Sequence, residues 1–258
     1  RTTDMATLFI SDLHLEADRP EIGEQFLDFL DEEAADAEAL YILGDFFEYW
    51  VGDDDPDEYY GSIKRSLRAF TDSGVPVYFM HGNRDFMIGE KFAEETGVTI
   101  LPDPSPLELY GKSVLLSHGD ALCTDDTEYQ QMRAMTRNPD WQAMMLAKPL
   151  EERLAIAKQA RAQSQARNKT LSESIMDVNP DAVRQTIAEY GVEILLHGHT
   201  HRPGIHGVEV DDHFAKRVVL GDWYDQGSVV RWDEDGVELS AIRRQADPSE
   251  NETGDPAP

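Results

Sequence analysis

The chain has 258 residues, with 51 acidic against 23 basic side chains and a formal charge of −28. Hydrophobic residues make up 40%, enough for a sizeable core, and no apolar run is long enough to span a bilayer. A surface this acidic excludes a partner gripped by its phosphate backbone, so no nucleic acid is expected, and the single cysteine, Cys123, forms no internal disulfide and suits a cytosolic compartment.

Ala6 to Ser11 reads as a short apolar strand that delivers Asp12-Leu13-His14. Residues two apart in an extended chain point the same way, so Asp12 and His14 can grip one ion together. Gly23 to Glu33 reads as a helix with Phe26, Phe29 and Leu30 at core spacing. Leu40-Tyr41-Ile42-Leu43 reads as a strand buried on both faces; it stops at Gly44 and Asp45 follows. A carboxylate there is costly unless a cation meets it. Phe46-Phe47-Glu48-Tyr49-Trp50 is an aromatic cluster and reads as packing. Asp53-Asp54-Asp55 lacks the glycine and terminal glutamate of an EF-hand loop and reads as a solvated loop.

Tyr60, Ile63, Leu67 and Phe70 mark a second helix, closed by Gly74. Val75 to Met80 is a strand followed by His81-Gly82-Asn83-Arg84-Asp85, and Ser113 to Ser117 is a strand ending at His118-Gly119-Asp120. From Ala121 to Asp177 the pattern turns helical, with no clear strand. Asn179-Pro180 opens a helix that Gly191 closes, and Val192 to Leu196 is a strand running into His197-Gly198-His199-Thr200-His201. Val218–Gly221, Ser228–Trp232 and Val237–Ile242 follow as strands, and the tail from Ala246 has a disordered composition. The pattern predicts an α/β core over 5–120 and 178–245, a helical cap over 121–177 and a disordered tail over 246–258.

Five strand ends carry candidate ligands: Asp12 with His14, Asp45, Asn83, His118, and the histidines at 197 to 201. A lone histidine is usually a satisfied structural residue, but strand ends converge on one rim in α/β sheets. Mixed carboxylate, imidazole and amide donors suit a divalent ion such as manganese better than a structural zinc.

The blocks Asp-x-His, Gly-Asp, Gly-Asn, His and Gly-His-x-His, spanning Asp12 to His201, resemble the calcineurin-like metallophosphoesterases. Longer strings, Gly52-Asp53-Asp54-Asp55-Pro56, His81 to Phe86, Leu122 to Asp126 and Ile175 to Asn179, resemble the branch of that family at work in lipid A synthesis. The resemblance implies a four-layer αββα sandwich of two mixed sheets with a helical insertion. It implies two divalent ions, manganese by preference. Asp12, His14, Asp45 and His201 would hold one, and Asp45, Asn83, His118 and His199 the other, with Asp45 bridging. His197 falls outside the motif and reads as structural.

The implied reaction is attack of metal-activated water on the phosphorus next to uridine in UDP-2,3-diacylglucosamine. The implied setting is a monomer lying peripherally on the cytoplasmic face of the inner membrane. A phosphodiesterase for small or cyclic nucleotides is the alternative. Where the general family pattern has histidine after Gly-Asn, this chain has Arg84. Arginine cannot give up a proton at neutral pH but can clamp a phosphate oxygen through two donors. Asn83 and Arg84 are therefore the expected catalytic side chains, and Arg84 favours a pyrophosphate, whose phosphate leaving group needs little protonation.

In the insertion, Lys148, Arg153, Lys158, Arg161, Arg167 and Lys169 face only Glu151 and Glu152 as local acids, a locally basic patch. Trp141, Met144, Met145, Leu146, Pro149 and Leu150 precede or open it. One reading is a cap with an apolar side for acyl chains and a basic side for anionic headgroups; the other is two helices packed on the domain with lysines in water. The resemblance assigns substrate contacts to Asp126, Ser164 and Asn168, together with Asn83, Arg84 and His199. A family lysine is replaced by Leu171, and Lys169 is expected to reach in instead.

Overall fold

The computed structural model describes residues 5–211 and 213–243; the tail expected to be disordered, 246–258, lies outside them. Strands β1 (Thr7–Ile10), β2 (Ala39–Leu43), β3 (Val77–Met80) and β4 (Thr99–Leu101) lie side by side in parallel. Strands β5 (Ser105–Leu109), β6 (Lys112–Ser117), β7 (Ile194–His197), β8 (Gly204–Val210) and β9 (His213–Val219) form a second, five-stranded sheet in the order β5-β6-β7-β9-β8. The chain then returns through β10 (Gly227–Asp233) and β11 (Gly236–Ile242), which complete a six-stranded first sheet, β11-β10-β1-β2-β3-β4, with β10 antiparallel to β1. Both sheets are mixed.

Side-chain alternation along these strands builds three apolar layers. Phe9, Leu43 and Met80 from the first sheet meet Val114, Leu116, Leu196 and Val218 from the second. Leu8, Ile10, Leu40, Ile42 and Phe79 point the other way, onto helices α1 (Pro20–Glu32), α2 (Glu58–Asp72) and α3 (Glu90–Thr96), which contribute Phe26, Phe29, Ile63, Leu67 and Phe92. The β1 to β3 core strands are continuous apolar runs because both of their faces are covered. Burying each such large side chain stabilises the fold by roughly 1.5–3 kcal/mol.

Between β6 and the next core helix come α4 (Thr127–Thr136), α5 (Pro139–Leu146), α6 (Leu150–Asn168) and α7 (Glu173–Met176). Helix α8 (Pro180–Tyr190) then packs Val183 and Ile187 against Leu115 and Leu195 on the outer face of the second sheet. Asn179 caps it by accepting from the amides of Asp181 and Ala182, and Gly191 ends it in a left-handed conformation. The result is a four-layer αββα sandwich. No helix among the described residues is long and apolar enough to cross a membrane.

The structure corrects four expectations. Strands β4, β5 and β8 and helix α3 have no counterpart in the sequence reading, and the strand expected at Val218–Gly221 instead spans His213–Val219. The aspartate run is not merely a solvated loop. Asp53 accepts from Trp50 Nε1 at 2.9 Å and from the amides of Gly89 and Phe92 at 3.0 Å, so it caps α3 from another segment. Asp54 pairs with Arg153 of α6. The basic patch of the insertion is largely taken up in ion pairs: Arg153 with Asp54, Arg161 with Glu48, Arg167 with Asp126 and Glu128, and Lys148 with Glu152.

Helix α3 begins at Gly89, whose residue offers no capping side chain. Asp53→Ala is expected to strand two helix N–H groups and the Trp50 indole, lowering stability by about 1–3 kcal/mol while metal uptake is retained. Denaturant unfolding against wild type checks this; an unchanged midpoint would return Asp53 to the role of a solvated side chain.

Candidate metal centre

The loops after β1, β2, β3, β6 and β7 meet along one rim. Asp12 N donates to Gly44 O, His14 N to Asp45 O and Leu15 N to Phe46 O, at 2.8–3.0 Å, so the first two loops are zipped together. Gly198 N donates to His118 O at 2.9 Å and joins the second sheet's loops in the same way. Buried Asp85 ties β3's loop to β2's: it accepts from Gly82 N at 2.7 Å and from Phe46 N at 2.8 Å. Packing is so close that a Cβ at Gly82 would lie 2.1 Å from Asp45 Oδ1, and one at Gly198 would lie 2.3 Å from Asp12 Oδ2.

Among the described residues, two groups of donor atoms form here: Asp12, His14 and His201, and Asp45, His118 and His199, all atoms of a group lying within 4.8 Å of one another. Asn83 Oδ1 lies 3.0 Å from His118 Nε2 and so adjoins the second group. Asp45 stands between the two, with Oδ2 3.9 Å from His14 Nε2 and Oδ1 3.6 Å from His118 Nε2. The structure thus brings together the seven side chains expected as ligands. His197 sits apart, with Nδ1 2.8 Å from Gly198 O; burial pushes its imidazole down to about 3, and it stays neutral as a structural residue.

Among the described residues, five of the seven non-glycine residues with positive φ are in this set: Asp12, His14, Asp45, His199 and His201, at φ between 52° and 67°. Aspartate and histidine tolerate the left-handed region better than most residues, yet each still carries strain, which clusters at functional sites. The turns bend each strand end so that its side chain faces the shared centre.

The donor set fits divalent cations. Asp12 Oδ1 is buried with no hydrogen-bond partner, 3.4 Å from His201 Nε2. His14 Nε2 and His201 Nε2 face each other at 3.3 Å, an arrangement that a proton or a cation must mediate. The far nitrogens each face a polar group outside the centre, though His14 Nδ1 is not aligned for a hydrogen bond with its neighbour. His118 Nδ1 is 2.8 Å from Leu43 O, His201 Nδ1 is 3.3 Å from Asp222 Oδ2, and His14 Nδ1 is 3.0 Å from Glu48 Oε2. Partners of this kind fix Nε2 as the ligating atom. Rings are held by stacking as well: Tyr224 on His14 and Tyr129 on His199. Glu48, Asp222, Tyr129 and Tyr224 were not singled out in the sequence as parts of the site; a lone acid inside the aromatic run Phe46–Trp50 was the signal available for Glu48.

A cavity of about 880 Å³ opens over these groups. Its lining includes His14, Asp45, Asn83, His199 and His201 from the donor groups, Arg161, Ser164, Arg167, Asn168 and Lys169 on or beside α6, and Arg84 and Asp126. Arg84's backbone amide donates to Asp45 Oδ1 at 2.8 Å, while its buried side-chain Nε has no hydrogen-bond partner. Asp126, expected to meet substrate, accepts from Arg167 Nη1 at 2.6 Å in a two-pronged pair.

Burial alone would lower the pKa of His118, but Asp45, Asp12 and Asp120 outweigh it and hold it up to about 9. Burial likewise opposes the charge on His201, yet contact with Asp12 and Asp222 raises it to about 10. Below these values each imidazole carries a proton that a metal must displace. Metal affinity is therefore expected to fall with falling pH, by up to about tenfold per unit for each displaced proton. Calorimetry of manganese uptake in buffers of different ionisation heat would count about two protons released near pH 7; uptake without proton release would mean neutral imidazoles in the free protein.

The calcineurin-like phosphoesterase family model matches residues 5–203. A UDP-2,3-diacylglucosamine hydrolase of Xanthomonas oryzae pv. oryzae is 54% identical over 242 residues, covering 91% of this chain and 98% of the relative. A protein of the same name from Stenotrophomonas maltophilia is 52% identical over 248 residues, covering 93% and 100%. One from Xanthomonas campestris pv. campestris is 51% identical over 245 residues, covering 92% and 99%. The site's donor set is of the kind this family uses for divalent metals, and the chain belongs to the calcineurin-like phosphoesterase family.

Proposed function

We propose that this protein hydrolyses the pyrophosphate bond of UDP-2,3-diacylglucosamine, giving UMP and 2,3-diacylglucosamine 1-phosphate in lipid A synthesis. The observation that carries the reading is the cavity, whose lining draws on two cation-ready donor groups, Arg84 and polar side chains of α6. The names of relatives more than half identical over nearly the whole chain support the same substrate.

Asp12, His14, Asp45 and His201 would hold one ion, and Asp45, Asn83, His118 and His199 the other, both manganese in the cell. When bound, the ions supply Lewis acidity and an activated water nucleophile. Water adds to the phosphorus next to uridine, and the bond to the bridging oxygen breaks. That oxygen leaves on the lipid phosphate, which needs no proton at neutral pH. Arg84 offers its guanidinium to the charge gathering on the phosphoryl oxygens, a role its unpartnered buried Nε supports. Ser164, Asn168 and Lys169 on or beside α6 contact the sugar and phosphate, and Asp126 presents Arg167 to the cavity.

Residues 121–177 form the cap over the acyl chains. Exposed Met132, Met135, Met144 and Leu146 support peripheral docking of this face, as a monomer, on the cytoplasmic side of the inner membrane.

The test is mass spectrometry of products formed from UDP-2,3-diacylglucosamine with manganese in oxygen-18 water. Label is expected in UMP; label in the lipid phosphate would move the attack to the other phosphorus, and absence of turnover would remove the substrate. Arg84→Ala is expected to lower kcat by about 10²–10³-fold with manganese content unchanged. A variant with wild-type kcat would take the clamp away from Arg84.

A further inference from the structure

Helix α6 touches the loop after β2 at three points. Arg153 Nη1 donates to Val51 O at 2.6 Å and to Asp54 Oδ1 at 2.8 Å, and Arg161 Nε donates to Glu48 Oε1. The same loop begins with Asp45, which stands between the two donor groups. Glu48 turns its second oxygen, Oε2, toward His14 Nδ1, 3.0 Å away though out of line for a hydrogen bond from the ring. An unbroken line of polar contacts therefore runs from the helix to a ligand imidazole: Arg161, Glu48, His14.

Glu48 is only 6% exposed. A carboxylate so buried is stable when each oxygen has a cationic or hydrogen-bonding partner, and costly when one is removed. Arg161 holds one oxygen and the other lies against the His14 ring, so loss of Arg161 frees the Glu48 side chain to move. Displacement of Glu48 removes the group set against His14. Tyr224 fixes the plane of that ring by stacking at 5.2 Å, but stacking leaves rotation within the plane free, and Glu48 Oε2 is the group that stands beside Nδ1 in position to oppose it. The second donor group is supported differently, by Leu43 O on His118 and by the Arg84 amide on Asp45.

We propose that Glu48 is a positioning residue for the ion at Asp12, His14 and His201, and that Arg161 holds Glu48 in place, so that the seating of α6 sets how tightly this one ion binds. The inference rests on the two-ion reading above.

The experiment is manganese titration of the metal-free full-length protein by calorimetry, with electron paramagnetic resonance to count free ion. Wild type is expected to take up two ions. Glu48→Gln weakens one of them by about 10–100-fold and leaves the other within about two-fold. Arg161→Ala weakens the same ion to a lesser degree, Arg161→Lys recovers part of the loss, and the double variant binds no more weakly than Glu48→Gln alone. Lys158→Ala, an exposed site on the same helix, leaves both affinities unchanged. Turnover by the weakened variants returns at higher manganese concentration. Arg161→Ala that raises KM with both manganese affinities intact would make Arg161 a substrate contact only and overturn the proposal. Glu48→Gln with both affinities intact would overturn it equally, and should that variant not fold, the partly exposed Arg161 decides alone. A wild-type protein that takes up no ion overturns the two-ion reading, and this inference with it.

Discussion

Two buried carboxylates at the ends of neighbouring parallel strands govern this structure. Asp12 is fully buried and Asp45 nearly so, and no lysine or arginine side chain is paired with either among the described residues. Burial opposes ionisation of Asp12, yet His201, His118 and His14 hold its pKa well down, so it stays charged. The imidazoles that do this are the other donors of the site. Charge, donor geometry and left-handed backbone all concentrate at one rim, and each is unfavourable by itself. What offsets them is the zipping of the loops, the amide-accepting Asp85 and the close approach permitted by Gly82 and Gly198. A divalent cation resolves the remaining imbalance.

The sequence was most legible where a residue's environment follows from its neighbours in the chain. β1, β2, β3 and β7 are covered on both faces, so they show as apolar runs, and a ligand-type residue at the end of each run stands out. β8 carries two glycines and is largely exposed, β5 holds a proline, and β4 has three residues, so none leaves a periodic trace. The left-handed turns at the ligands and the Glu48 and Asp222 contacts are set by segments far away in sequence. Asp53 failed as a reading for the same reason: its partners at Gly89 and Phe92 are in a different segment. The basic patch failed because composition counts charges and not partners. Asp54 and Glu48, which neutralise Arg153 and Arg161, lie outside the insertion.

A formal charge of −28 repels a pyrophosphate at long range, so attraction has to be local. The cavity supplies it: Arg84, Arg161, Arg167, Lys169 and Arg202 all line it. Arg161 and Arg167 are already paired with carboxylates, which holds their guanidinium groups in fixed positions at the wall. Cationic side chains inside a concave, acidic molecule focus the field toward the donor groups rather than over the surface.

The way α6 is attached has a consequence for the site. Among its described residues only Arg153 is buried, so apolar packing contributes little to its position. Its seat is made instead from Arg153 on Val51 and Asp54, Arg161 on Glu48 and Arg167 on Asp126. Ion pairs stabilise weakly per contact, since desolvation consumes most of the attraction, but they are directional and set geometry more sharply than an apolar face does. Segments held this way lie toward the low end of local stability. Three of these contact points, Val51, Asp54 and Glu48, sit on the loop that carries Asp45, and the last of them adjoins His14. Movement of α6 and the arrangement of the donor atoms are therefore parts of one mechanical unit.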